Sequence, residues 1–165
     1  MFNADFEVSQ LYKKNKKIFK KLKKILPKYF HTFPIDKSEV SKAILANKSN
    51  LNKIVKIVHL EVRKKMKLFL SKNKNKRIVI LDVPLFLENN LSNKKDVLVF
   101  IQSDKKEILK RLKKRDNFNY KLFNKFKKIQ LPLNYKKKKS HYIIKNNFTK
   151  KSVIKNIKTI LKDIL

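Results

Sequence analysis

The chain has 165 residues, with 45 Lys and Arg against 12 Asp and Glu, for a formal net charge of +33. One domain is the expectation at this length. The complete absence of glycine and cysteine means these residues contain no Walker A loop, dinucleotide-binding glycine fingerprint, glycine nucleophile elbow, disulfide or thiolate zinc site.

Apolar residues from Phe6 to Leu26 recur at roughly helical spacing with lysines on the other face, predicting a helix over 6–26. Pro27 and Pro34 bracket the loop after it. Asp36-Lys37-Ser38-Glu39 resembles a capping box in which Asp36 accepts from the backbone of Glu39, opening a short helix to 46. A longer helix over 51–70 carries Ile54, Val55, Val58, Val62, Met66 and Phe69 on its apolar side. The run Ile78-Val79-Ile80-Leu81 reads as a strand buried on both faces, and Val97 to Ile101 as a second. Ser103 is placed to cap a helix over 104–115. A further helix over 120–130 stops at Pro132, a third strand covers 142–144, and Thr149 caps a last helix. That helix has Val153, Ile154, Ile157, Ile160 and Leu161 as its buried stripe. Short apolar strands separated by helices predict a parallel sheet in an α/β fold.

Hydrophobic residues at 42% suffice for a core. No apolar run reaches the ~18–20 residues that span a membrane, and the first residues lack the pattern of a secretory leader. A soluble, cytoplasmic protein is expected. Of the 45 basic residues 41 are Lys, and Arg63, Arg77, Arg111 and Arg115 are the only arginines. Lysine is a flexible point charge without the planar fork that reads base edges. An AT-rich genome would impose this Lys, Asn, Ile and Phe bias through its codons, leaving mostly solvated faces and a nonspecific attraction to nucleic acid.

In open α/β sheets ligands bind beyond the carboxyl ends of the strands. The residues to weigh there are Asp82 and Glu88, six positions apart around Pro84. A carboxylate at a strand end can hold hydrated magnesium or accept a substrate hydrogen bond. The alternative is that Asp82 caps the next helix and Glu88 is solvated. Arg111 and Arg115 would share one helix face and could converge on a polyphosphate, or Arg111 could pair with Glu107 on the surface. His59 and Arg63, one turn apart, could grip an anion or simply be packed or solvated. Asp5 lies just before a helix, where it would ordinarily act as an N-cap. His31, His59 and His141 have no metal-ligand spacing.

Taken in order, these segments resemble the dephospho-coenzyme A kinase family. Asn3-Ala4-Asp5-Phe6-Glu7 is similar to its D-A-D-x-[IV], with Asn3 in place of the first aspartate. His59, Val62 and Arg63 match H-P-x-[VI]-R, with Leu60 for proline. Asp82-Val83-Pro84-Leu85-Phe86-Leu87-Glu88 is close to D-V-P-L-L-F-E, Arg111 to Asp116 match the lid R-L-x-x-R-D, and Ile144-Lys145-Asn146 match I-x-N. The resemblance implies a three-layer P-loop kinase-like fold, a parallel sheet flanked by helices, with a helical acceptor region at about 36–73 and a lid at about 104–131. It implies transfer of the ATP γ-phosphoryl, with Mg2+, to the ribose 3′-hydroxyl of dephospho-coenzyme A. Asp5 would be the general base, and His59, Arg63, Asp82 and Glu88 would bind substrate on the acceptor side. Arg111, Arg115 and Asn146 would serve ATP and the lid. Such chemistry needs positioning and charge neutralisation more than covalent help.

Two departures stand out. Phe126 occupies the place of a further lid arginine, where Lys125 and Lys127 could supply charge. The family's first strand and its G-x-x-G-x-G-K-[ST] loop, upstream of D-A-D, have no counterpart in these residues. The sheet should therefore have a gap, and the β- and γ-phosphates should lack their cradle. The expectation is an N-terminally truncated or mis-started form of a working kinase, inactive as written. The alternatives are a noncatalytic remnant, a noncatalytic partner of another subunit, or a basic nucleic-acid-binding protein using its lysine faces with Tyr120, Phe123 and Phe126.

Overall fold

The computed structural model describes residues 1–116 and 118–165, in two compact units, Met1–Pro84 and Leu85–Leu165. In the first, strand β1 (Phe2–Asn3) leads into helices α1 (Ala4–Lys14), α2 (Lys16–Ile25), α3 (Lys37–Ala46) and α4 (Lys48–Lys72), and strand β2 (Leu81–Asp82) returns beside β1. The pairing is parallel, Phe2 with Leu81 and Asn3 with Asp82. It is extended by the Phe2 N–H, which donates to the Ile80 carbonyl at 2.9 Å.

α1, α2 and α3 all pack on α4. Leu11, Ile18, Leu22, Phe30, Ala43, Ile54 and Val58 form the centre of that contact, each nearly or wholly buried. Each large side chain buried in this way stabilises the unit by ~1.5–3 kcal/mol. α2 takes six lysines in its ten residues, and its apolar face is anchored by the buried Ile18 and Leu22, while Ile25 at its end stays exposed.

The single helix expected over 6–26 is broken at Asn15. Its backbone is extended there, its N–H closes α1 onto the Leu11 carbonyl, and its side chain accepts from the Ile18 N–H to start α2. A short amide side chain offers the backbone this alternative to continued helix. At Asp36 the N-cap is present, but the carboxylate accepts from Ser38 rather than from Glu39. Glu39 turns to the preceding loop and accepts from the His31 N–H at 3.1 Å.

The second unit holds β3 (Val99–Gln102), α5 (Lys105–Lys113), α6 (Tyr120–Lys128), α7 (Leu133–Lys139), β4 (Tyr142–Lys145) and α8 (Lys150–Ile164). β3 and β4 are parallel, with Ile101 opposite Ile144. The His141 imidazole prolongs the ladder by accepting from the Leu98 N–H through Nδ1 at 2.9 Å. Among the described residues the strands are parallel and form two two-stranded sheets, one in each unit.

Several sequence expectations fail here for one reason. The runs at 78–81 and 97–101 are not buried on both faces: Ile80 is 57% exposed and Ile101 53%. A two-stranded ladder leaves each strand one open edge, and its faces are only partly covered. On α8, Ile154, Ile157 and Leu161 are exposed rather than buried, although the helix packs against β4. Ile144 is the one hydrophobic residue of this unit that is fully buried among the described residues.

Caps also differ. Asp104, not Ser103, caps α5, accepting from Lys106 at 2.8 Å and Glu107 at 3.1 Å. Thr149 occupies the N-cap position of α8 but makes no cap bond. Its hydroxyl instead donates to Asn147 at 2.8 Å. α7 has no counterpart among the predicted elements, and four of its seven residues are the consecutive lysines Lys136 to Lys139.

Candidate functional site

In the first unit the candidate residues gather around the β1–α1 junction and on α4. Asn3 is the N-cap of α1: its Oδ1 accepts from the Phe6 N–H at 2.8 Å and its Nδ2 donates to Asp82 Oδ2, also at 2.8 Å. One amide therefore ties the start of α1 to the end of β2. Asp5 is not the cap that its position suggested. It lies in the first turn of α1, exposed, where the partial positive end of the helix favours a carboxylate. Asp82 caps no helix and is likewise exposed at the carboxyl end of its strand. His59 and Arg63 lie one turn apart on α4, beside the buried stripe of Val58 and Val62. A cleft of about 590 Å³ in the same unit, bordered by Phe6, Gln10, Lys14 and Lys65, includes none of these residues.

In the second unit Arg111 and Asn146, 35 positions apart in the sequence, line one pocket of about 330 Å³ with Phe148, Thr149, Lys150, Val153 and Ile154. The Arg111 guanidinium carbon lies 3.9 Å from the centre of the Phe148 ring. Asn146 shapes the loop after β4, its Oδ1 accepting from the Phe148 N–H at 2.8 Å. That bond accompanies a left-handed backbone at Phe148, φ 62°. A planar cation over a ring beside a loop of polar backbone can hold a flat, hydrogen-bonding heterocycle. Phe148 is the residue that the sequence reading missed. The only signal was an aromatic two positions after the I-x-N asparagine.

Arg115 does not share a helix face with Arg111, because α5 ends at Lys113 and Arg115 lies in the turn that follows. Its carbonyl accepts from the Phe118 N–H at 2.9 Å. The segment beyond carries Phe118, Tyr120 and Phe123 in mutual ring contact, with centroids 5.1–6.4 Å apart. Glu88 is mostly buried and far from solvated: Oε1 accepts from the Leu131 N–H at 3.0 Å and from Lys136 Nζ at 2.6 Å. Burial pushes its carboxyl up, but the Lys136 ammonium and the backbone donors outweigh that and hold it below the usual value.

Short parallel strands flanked by helices in each unit make this an α/β protein. The crystal structure of TT1252 from Thermus thermophilus has the same fold, with a TM-score of 0.72 over 99% of this chain and 84% of that one, at 16% identity. The family model for dephospho-CoA kinase matches residues 1–152. The dephospho-CoA kinase of Wolbachia sp. subsp. Brugia malayi (strain TRS) is 31% identical, over 99% of this chain and 85% of the relative. That of Bartonella quintana (strain Toulouse) is 26% identical, over 100% and 85%. The chain belongs to the dephospho-CoA kinase family, ATP-binding transferases of coenzyme A biosynthesis. No helix among the described residues is long and apolar enough to cross a membrane.

Proposed function

We propose that this chain serves the reaction of a dephospho-coenzyme A kinase, moving the ATP γ-phosphoryl to the ribose 3′-hydroxyl of dephospho-coenzyme A in the cytoplasm. The observation that carries this reading is the pocket shared by Arg111, Asn146 and Phe148, which suits the adenine of ATP. Arg115, in the turn after α5, adds charge for the phosphates. In the first unit Asp5 serves as the general base toward the acceptor hydroxyl, and His59 and Arg63 bind acceptor phosphate and ribose. Asp82, with one oxygen held by Asn3, accepts from the acceptor or from water around magnesium.

Magnesium fits as part of the nucleotide complex rather than as a resident ion. The described residues contain no group of three or more His, Asp or Glu able to ligate a metal. One or two carboxylates plus substrate phosphates commonly hold this ion, and Asp5 and Asp82 are exposed carboxylates in the first turn of α1 and at the end of β2. When bound, it would neutralise charge on the transferring phosphoryl group.

The 165 residues contain no glycine, so no glycine-rich phosphate cradle lies among them. The expected outcome for these residues alone is therefore binding without turnover. The test is calorimetric titration with ADP and with dephospho-coenzyme A, alongside a coupled assay with ATP and magnesium. ADP binding that Arg111→Ala abolishes supports the reading. Absence of ADP binding, or binding indifferent to Arg111, would sink it, and turnover at an ordinary kinase rate of about 1–100 s⁻¹ would overturn the argument from the missing cradle.

A further inference from the structure

The family pattern puts Glu88 with the acceptor, yet both of its contacts run to the far end of the lid. Its pair with Lys136 leaves the two side chains only 10% and 18% exposed. The lysines of the Lys64–Glu61 and Lys65–Glu7 pairs stand 59% and 42% exposed. The same Glu88 oxygen takes the Leu131 N–H. Leu131 and Lys136 flank Pro132, the point at which α6 has ended and α7 begins.

α7 needs such an anchor. It has seven residues, four of them consecutive lysines, no side-chain cap bond and no buried residue among the described ones. A helix of that length and charge does not hold itself in water. Glu88 in turn sits on a fixed turn. Asn89 donates to the Leu85 carbonyl through both its backbone N–H (3.1 Å) and its side-chain amide (2.8 Å), and the Leu91 N–H returns to Phe86 at 3.1 Å.

We propose that Glu88 is a positioning residue for the nucleotide lid: by holding Leu131 and Lys136 it fixes the point at which the lid, residues 104–131, returns toward β4, without touching the acceptor. Lids close about a few loop or element-terminal positions, and Leu131 and Lys136, either side of the N-cap of α7, lie at such a position. This inference rests on the reading of the Arg111–Phe148 pocket as the nucleotide site.

The experiment is hydrogen–deuterium exchange on the full chain and on Glu88→Gln, Glu88→Ala and Lys136→Met, with ADP and dephospho-coenzyme A affinities measured on each. In Glu88→Ala, exchange over 129–140 should rise about tenfold or more while α1 and α4 stay unchanged, marking a local opening. Glu88→Gln should rise less, because its amide oxygen still accepts from Leu131. ADP affinity should fall roughly three- to tenfold in Glu88→Ala and Lys136→Met with dephospho-coenzyme A affinity intact, and the Glu88→Lys, Lys136→Glu exchange of charges should recover part of it. Unchanged exchange over 129–140 would overturn the proposal, as would loss of dephospho-coenzyme A affinity with ADP binding intact. A wild-type chain that binds no ADP would defeat the nucleotide-site reading and the lid role with it, while exchange over 129–140 would still decide whether Glu88 anchors that segment.

Discussion

The guanidinium of Arg111 lies 3.9 Å from the ring centre of Phe148, which joins the last turn of α5 to the loop that follows β4. Phe148 reaches that position through a left-handed backbone with φ 62°, a conformation that costs a non-glycine residue ~1–2 kcal/mol. The Asn146 side chain offsets part of this by accepting the Phe148 N–H. A strained aromatic held by a neighbouring amide and covered by one of only four arginines is the feature on which the proposed nucleotide pocket rests.

Replacing Phe148 with Ala, or Arg111 with Lys, should weaken adenine-nucleotide binding. A cation–π contact contributes ~0.5–2 kcal/mol, so each change should raise the ADP dissociation constant by about two- to thirtyfold. The double variant should be less than additive, since both changes remove one contact. Titration calorimetry on the three variants measures this. Strict additivity would mean that the stack is incidental to binding.

Asn3 makes two bonds with separable consequences. Asn3→Ala removes both the α1 cap and the link to Asp82 and should destabilise the first unit by ~0.5–2 kcal/mol, lowering its melting temperature by several degrees. Asn3→Ser keeps a capping oxygen and loses only the link to Asp82. Both residues of that link are exposed enough to be rehydrated, so Asn3→Ser should melt within a degree or two of the wild type. Thermal unfolding followed by circular dichroism separates the two.

These cases mark what was legible in the sequence. The long α4, the capped start of α3 and the strands around 81, 99–101 and 142–144 follow from apolar periodicity and capping signals, because those signals are local; β1 and α7 do not. The exposure of Ile80, Ile101, Ile154 and Ile157 was not legible. Periodicity says which face of an element is apolar, not whether a neighbour covers it. Asn15 ends one helix and starts another through a single side chain, a choice that spacing over 6–26 does not reveal. Arg111 and Arg115 read as a helical pair until the true end of α5 places Arg115 in a turn. Phe148 escaped notice because its role depends on a contact 37 positions away in the chain, and Glu88 because its partners lie 43 and 48 positions away.

Burial pushes the Tyr12 phenol up to about 12 from its usual 10.0. An unfolded chain would ionise this residue near 10, whereas the folded one keeps the proton. The resulting stability is complete below pH 10 and is lost as the pH rises toward 12, up to ~2–3 kcal/mol for a shift of this size. Tyr12→Phe keeps the packing and has no proton to lose. Denaturant unfolding at pH 8, 10 and 11 should show a steeper alkaline decline for the wild type than for Tyr12→Phe. Parallel declines would mean that Tyr12 is not held neutral by the fold.

Glu88 has the opposite sign. Its carboxyl is held below the usual 4.5, because the donors from Lys136 and Leu131 outweigh the burial that opposes ionisation. Its contribution is therefore present above pH 4.5 and lost as the pH falls through the lower folded value. Partial access to water screens the pair, so the effect is modest, ~0.2–1 kcal/mol, or a shift of a few degrees for a unit of this size. Acidification from pH 6 to pH 3 should loosen 129–140 first, and Lys136→Met should shrink the shift because the charge that favours the carboxylate is gone. In Glu88→Gln the same segment should be weaker at pH 6 and nearly indifferent to acid over this range. Amide exchange at the two pH values, corrected for intrinsic rates, reads the difference directly. Equal acid sensitivity in wild type and Glu88→Gln would assign the loosening to other carboxylates.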